Sequence, residues 1–165
     1  METDESNACH YNKVVFAGTF DHLHEGHKHI IRTAFKLSRT VALGLTTDQM
    51  LAYKSDRRLI QPYAERYTEL EKFIASEFDL KRASIFPIET TEGGADKMKD
   101  LEALIVSDEI GVVQNAFDIN QMRIDNGLKR FHIIVIPRVR TKDGRPLSSS
   151  RIRRGEIFHE DELVY

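Results

Sequence analysis

The chain has 165 residues, 41% of them hydrophobic and 30% charged, with a net charge of −2 and a single cysteine. That length builds one well-buried core and is short for two ordinary domains of about 100–150 residues each. Apolar runs such as IIVI at 133–136 fall far below the ~20 residues of a membrane span, and Cys9 alone excludes an internal disulfide and a cysteine-based zinc site.

Residues 1–12, METDESNACHYN, are acidic and polar, without the basic start and apolar stretch of a secretory signal. They read as a flexible tail before a single domain over 13–165, in a reducing cytoplasm and off the membrane. KVVFA at 13–17 is a short apolar run ended by Gly18 and reads as a buried strand. From Gly26 the spacing becomes helical, with His27, Ile30, Ile31, Ala34, Phe35 and Leu37 on one broad face, and a second strand follows at Val41 to Leu45. Pro62 opens another helix, where Tyr63, Tyr67, Leu70 and Ile74 recur at helical spacing. ASIFPI at 83–88 is a weaker strand, which Pro87 assigns to an edge or a strand end. After the polar loop TTEGGADKMKD, Leu101 to Val106 is a buried strand, Glu109 to Asn126 a helix that Gly127 ends as a left-handed cap, and His132 to Ile136 a fifth strand. This alternation predicts an α/β fold: a doubly wound, Rossmann-like parallel sheet of five strands with helices on both faces.

Ligands in such sheets bind beyond the carboxyl ends of the strands, which directs attention to residues 18–27, 46–54 and 138–154. The first is GTFDHLHEGH, with His24-x-Gly26-His27 directly before a helix. Gly18 and Gly26 let the main chain approach a ligand, the helix N-terminus favours an anion, and two imidazoles add donors. His22, His24, His27 and His29 are crowded, yet without a supporting cysteine the cluster reads as a phosphate loop in preference to a zinc site. No protein ligand to a metal is identified. The second segment holds Thr46, Thr47 and Asp48, with Lys54, Arg57 and Arg58 downstream; Asp48 either caps the next helix or touches ligand. The third carries Arg138, Arg140, Lys142, Arg145, Arg151, Arg153 and Arg154 against only Asp143. Its LSSSRIRRGEI places Ser148, Ser149 and Ser150 before a helix-like stretch, with Arg151 and Arg153 supplying charge for a polyphosphate. The rest of the chain outweighs this basic patch, which favours a small phosphorylated ligand over nucleic acid.

GTFDHLHEGH, LGLTTD with Lys54, PYAERYTELEKF, ALIVSDE, Asn120 and Arg123 in INQMRIDNGL, and DGRPLSSSRIRRGEI follow one another over about 13–157. In this order the chain resembles the archaeal and eukaryotic phosphopantetheine adenylyltransferases of the His-x-Gly-His nucleotidyltransferase superfamily. The resemblance implies adenylyl transfer from ATP, with Mg2+, to 4′-phosphopantetheine, giving dephospho-CoA and pyrophosphate. It implies ATP contacts at Gly18, Thr19, Phe20, His24, His27, Ser148, Ser149, Ser150 and Arg151, and acceptor contacts at Thr19, Thr47, Asp48, Lys54, Asn120 and Arg123. His27, Lys54 and His24 would be catalytic, with Arg57 the competitor for the role of Lys54. Asn120 and Arg123 interrupt an apolar helix face, which makes them a ligand-facing edge or an internal polar contact. Two positions depart from related patterns: the bacterial form usually has Thr at His24, and the archaeal form usually has Thr at Ser150. Transfer to glycerol 3-phosphate or flavin mononucleotide, or a nucleotide-binding module without turnover, would share the first motif. The closing SSSRIRRGE favours the pantetheine branch, in a monomer or small homo-oligomer.

Overall fold

The computed structural model describes residues 9–165, so most of the acidic tail lies outside the described residues. The elements are β1 (Tyr11–Gly18), α1 (Glu25–Leu37), β2 (Ser38–Thr46), α2 (Tyr63–Glu77), β3 (Ala83–Ile88), β4 (Ala103–Ser107), α3 (Ile110–Asp125), β5 (His132–Ile136), β6 (Arg140–Thr141), α4 (Ser149–Arg153) and β7 (Leu163–Val164). Strands β1 to β5 form one parallel sheet in the order β3-β2-β1-β4-β5, and β6 and β7 form a small antiparallel pair. The Rossmann-like architecture read from the alternation of elements is therefore present. One boundary differs: β1 begins inside the stretch assigned to the tail, because Tyr11 pairs with Ser38 of β2 and its hydroxyl meets His132 Nδ1 at 2.8 Å.

Alternate strand residues point to opposite faces. Val14, Phe16, Val41 and Leu43 face α1 and α2, where Ile31, Phe35, Leu70 and Ile74 complete one core. Val15, Ala42, Leu104 and Val106 face α3 and pack with Ala116, Ile119 and Phe131 in the second. The central strands are apolar on both sides because both sides are covered, and each fully buried Leu or Ile contributes roughly 1.5–3 kcal/mol. Pro87 is tolerated because β3 is an edge strand.

Helix ends fix the loops that matter. α1 passes into β2 without a connecting loop, the amide of fully buried Ser38 donating to the Ala34 carbonyl. α3 ends at Gly127 with φ 75°, where the Gly127 and Leu128 amides donate to the Ile124 and Arg123 carbonyls. The chain leaves β1 toward β2 on one side while β4 flanks β1 on the other, so the crevice above β1 and β4 is the point where the winding reverses. No helix among the described residues is long and apolar enough to cross a membrane.

Candidate active site

A cavity of about 500 Å3 occupies that crevice. Its polar end is made by the loop between β1 and α1, with Gly18, Thr19, Phe20, His24 and His27, facing Ser148 before α4. The loop is strained: Phe20 and His22 adopt φ of 51° and 46°, a region L-residues rarely enter, so tertiary contacts must hold them there. The Phe20 ring meets Phe16 edge-on at 5.8 Å and His27 at 5.3 Å. A Cβ on Gly26 would stand 2.8 Å from the His24 ring, which explains the glycine.

The two imidazoles are wired by their backbone partners. His24 Nδ1 accepts the Gly26 amide at 3.0 Å as the cap of α1, and His27 Nδ1 accepts the His24 amide at 3.3 Å. Amides only donate, so each Nδ1 is unprotonated and a neutral ring carries its hydrogen on Nε2. Burial pushes His24 down to about 4, and burial followed by the neighbouring His24 pushes His27 well below the usual histidine range. The rings stack at 3.8 Å. At neutral pH the cavity thus meets two uncharged rings whose Nε2–H donors have no protein acceptor among the described residues and are not sealed from solvent.

Asp21 ties the first loop to the turn before α2 and to the serine turn. Its side chain is 1% exposed; Oδ1 accepts the Gln61 amide at 2.8 Å, Oδ2 accepts Arg153 Nη1 at 2.6 Å, and its carbonyl accepts the Ser149 hydroxyl at 2.6 Å. Arg153 also donates from Nε to Asp56 at 2.8 Å and from Nη2 to the Ser150 hydroxyl at 3.2 Å. Ser148 caps α4 by accepting the Arg151 amide. Beneath this, fully buried Arg66 staples the ends of β1 and β2, its Nη1 donating to the Thr19 carbonyl at 2.9 Å and the Thr46 carbonyl at 2.8 Å. The Thr19 and Thr46 hydroxyls meet at 3.1 Å.

The other residues singled out in the sequence fall in different places. Asp48 caps α2, accepting the Tyr63 amide at 3.0 Å and Arg66 Nη2 at 2.9 Å, so of its two readings the cap is the one formed. The Thr47 hydroxyl accepts the Met50 amide in the following turn. Lys54 is half-buried and Arg57 exposed, and neither lines the cavity. Three expectations need correction. Asn120 exchanges two hydrogen bonds with the Phe131 backbone, and Arg123 donates to the carbonyls of Ala95, Met98 and Lys129, so this pair makes the internal polar contact and fixes the loop beside the cavity without entering it. Arg151 is buried against the Phe158 ring, donating to Glu156 at 2.7 Å and to Thr141 and Pro146 at 3.0 Å, which directs its charge into the fold and away from the cavity.

Sequence reasoning missed Arg66, Asp21 and Asp56. Arg66 was detectable as a charge inside the apolar stripe of Tyr63, Tyr67, Leu70 and Ile74, whereas nothing local distinguished the two aspartates. The far end of the cavity, with Phe86, Ile88, Thr91, Ala95, Val112 and Asn115, was also unassigned. Among the described residues no group of three or more His, Cys, Asp or Glu is arranged to hold a metal ion.

A strained strand-to-helix loop carrying two neutral imidazoles opposite a serine-capped turn, at the reversal point of a parallel sheet, has the features expected of a nucleotidyltransferase-type loop. The family described as Cytidylyltransferase-like matches residues 15–155, and the chain belongs to it. It is 42% identical over 147 residues to the phosphopantetheine adenylyltransferase of Thermococcus kodakarensis, covering 89% of this chain and 87% of that one. To the enzyme of that name from Pyrococcus furiosus it is 40% identical, over 89% of this chain and 90% of the relative. A protein of unknown function from Archaeoglobus fulgidus superposes with a TM-score of 0.66 at 32% identity, over 75% of this chain and 88% of that one. The tyrosyl-tRNA synthetase of the same organism, at TM-score 0.60 and 13% identity over 86% of this chain and 60% of that one, shares the fold.

Proposed function

We propose that the chain transfers the adenylyl group of ATP to 4′-phosphopantetheine, releasing pyrophosphate and forming dephospho-CoA. The observation that carries this reading is the 42% identity over 89% of the chain to a phosphopantetheine adenylyltransferase, alongside a family match spanning both phosphate loops. A phosphate oxygen of the acceptor attacks the α-phosphorus of ATP in line, and the bond to the pyrophosphate oxygen breaks. The attacking oxygen is already ionised, so no protein base is needed; catalysis consists of positioning and of stabilising charge on the transferring and leaving oxygens.

His24 and His27 perform the second task. Both rings line the cavity, their Nδ1 atoms are held by backbone amides and their Nε2–H donors have no protein acceptor among the described residues, so they need no reorganisation when charge develops. The serine turn from Ser148 to Ser150, beside Gly18 to Phe20, receives the β- and γ-phosphates. Lys54 is the cation for the acceptor phosphate, and Thr47 of the same loop adds a hydroxyl. Mg2+ enters as part of the ATP substrate. The apolar far end, lined by Phe86, Ile88 and Val112, suits the uncharged pantetheine arm.

The test offers ATP and CTP with 4′-phosphopantetheine, glycerol 3-phosphate and flavin mononucleotide, measures pyrophosphate release, and identifies each product by mass. Dephospho-CoA from ATP is the expected product. Pyrophosphate release only with another acceptor would replace the substrate assignment, and none with any pair would replace catalysis by nucleotide binding alone.

A further inference from the structure

The segment between β2 and α2 carries Lys54 yet has few anchors of its own. Leu51 is buried at 4% exposure, whereas Tyr53 is 80% and Leu59 59% exposed. Short turns such as Leu51 to Asp48 and Lys54 to Leu51 shape the segment from within. From Leu51 to Ile60 its outward ties are the contact of the Leu59 carbonyl with His22 Nε2 at 3.3 Å and the pairing of Asp56 with Arg153. Asp56 is thus the one side chain of this stretch that grips another part of the protein through an ion pair among the described residues.

Its partner is buried. The Arg153 side chain is 7% exposed and is held by Asp21, itself 1% exposed. Asp56, at 37%, is the exposed member of the triad. The guanidinium therefore acts as a fixed post in the core, and the carboxylate on the loop hooks onto it. The same guanidinium reaches the Ser150 hydroxyl, so the post stands on the turn assigned to the ATP phosphates. Asp56 is held below the usual carboxylate range by the hydrogen bond from Arg153, then by the charges of Arg153 and, more weakly, Lys54.

We propose that Asp56 is a positioning residue that latches the loop of residues 47–61 onto the serine turn through Arg153, and thereby sets where Lys54 stands relative to the bound nucleotide. The role given to Lys54 rests on the adenylyltransferase reading above; the latch itself does not. Through it, the two substrate loops share one guanidinium, and order in one loop is communicated to the other.

Two measurements on Asp56→Asn and Asp56→Glu test the proposal. In steady-state kinetics Asp56→Asn should raise the KM for 4′-phosphopantetheine about tenfold and the KM for ATP less than about threefold, a split that general destabilisation would not produce. Asp56→Glu, which keeps the charge, should recover most of the acceptor KM. In limited trypsin digestion of the substrate-free protein, cleavage after Lys54, Arg57 or Arg58 should accelerate about tenfold in Asp56→Asn, because local opening sets the rate. Unchanged cleavage would overturn the latch whatever reaction the enzyme performs. Faster cleavage with both KM values rising in proportion would overturn the positioning of Lys54. A wild-type protein that makes no dephospho-CoA would sink the functional reading, while the digestion would still decide the latch.

Discussion

Acidification should weaken this protein in a way that can be traced to His24. Burial holds its pKa at about 4 against the usual 6.5, and its unprotonated Nδ1 accepts the Gly26 amide at 3.0 Å. The unfolded chain takes up a proton near pH 6.5, whereas the folded chain resists until about 4. Stability from this group is therefore complete above pH 6.5 and lost as the pH falls toward 4. At about 1.36 kcal/mol per tenfold difference in proton affinity, most of a loss of about 3 kcal/mol is reached by pH 4.5. Asn in place of His24 keeps an oxygen able to cap α1 and does not titrate. Urea unfolding of wild type and His24→Asn at pH 7.5 and pH 4.5 reads this contribution together with the smaller part of the His27 shift that His24 causes, since all other groups contribute to both. Wild type should lose roughly 2–3 kcal/mol more than the variant between the two pH values. Equal losses would refute the claim that His24 is buried neutral with Nδ1 as an acceptor.

His27→Ala should lower kcat by about 10²–10³ with the fold intact by circular dichroism, the size of losing one preorganised donor; a folded variant with near-normal turnover would remove His27 from the chemistry. Arg66→Met leaves the carbonyls of Thr19 and Thr46 without their buried donor and should cost about 3–5 kcal/mol in urea unfolding, with Arg66→Lys restoring only part; a loss below about 1 kcal/mol would contradict the staple. Arg151→Ala should cost roughly 2–4 kcal/mol of stability, while calorimetric ATP affinity changes less than about threefold. A selective loss of ATP affinity in a fully stable Arg151→Ala protein would return that guanidinium to the phosphates.

The fold was legible because its signals are local and repeated. Apolar runs such as Val41 to Leu45 and the helical stripe from His27 to Leu37 mark the layers, and Pro87 and Gly127 sit at the edge and the cap that their backbones demand. The loop between β1 and α1 was legible for the same reason: ten consecutive residues, GTFDHLHEGH, contain strand end, glycines, imidazoles and helix start. What failed was the direction of single charged or polar side chains. Asn120, Arg123 and Arg151 carry the groups a ligand site needs, but buried carbonyls and carboxylates require the same groups, and spacing alone does not separate the two uses. Asp21 and Asp56 were hidden because their partner, Arg153, is more than ninety residues away in the chain and meets them only after the sheet has formed.

The central claim is that these loops position ATP for attack by 4′-phosphopantetheine. It is tested most directly by competition, with ATP, CTP, 4′-phosphopantetheine and glycerol 3-phosphate present together and the products resolved by mass. Dephospho-CoA should dominate, with the highest kcat/KM for the pair of ATP and 4′-phosphopantetheine. Dominant formation of CDP-glycerol would contradict the account while leaving the chain a nucleotidyltransferase.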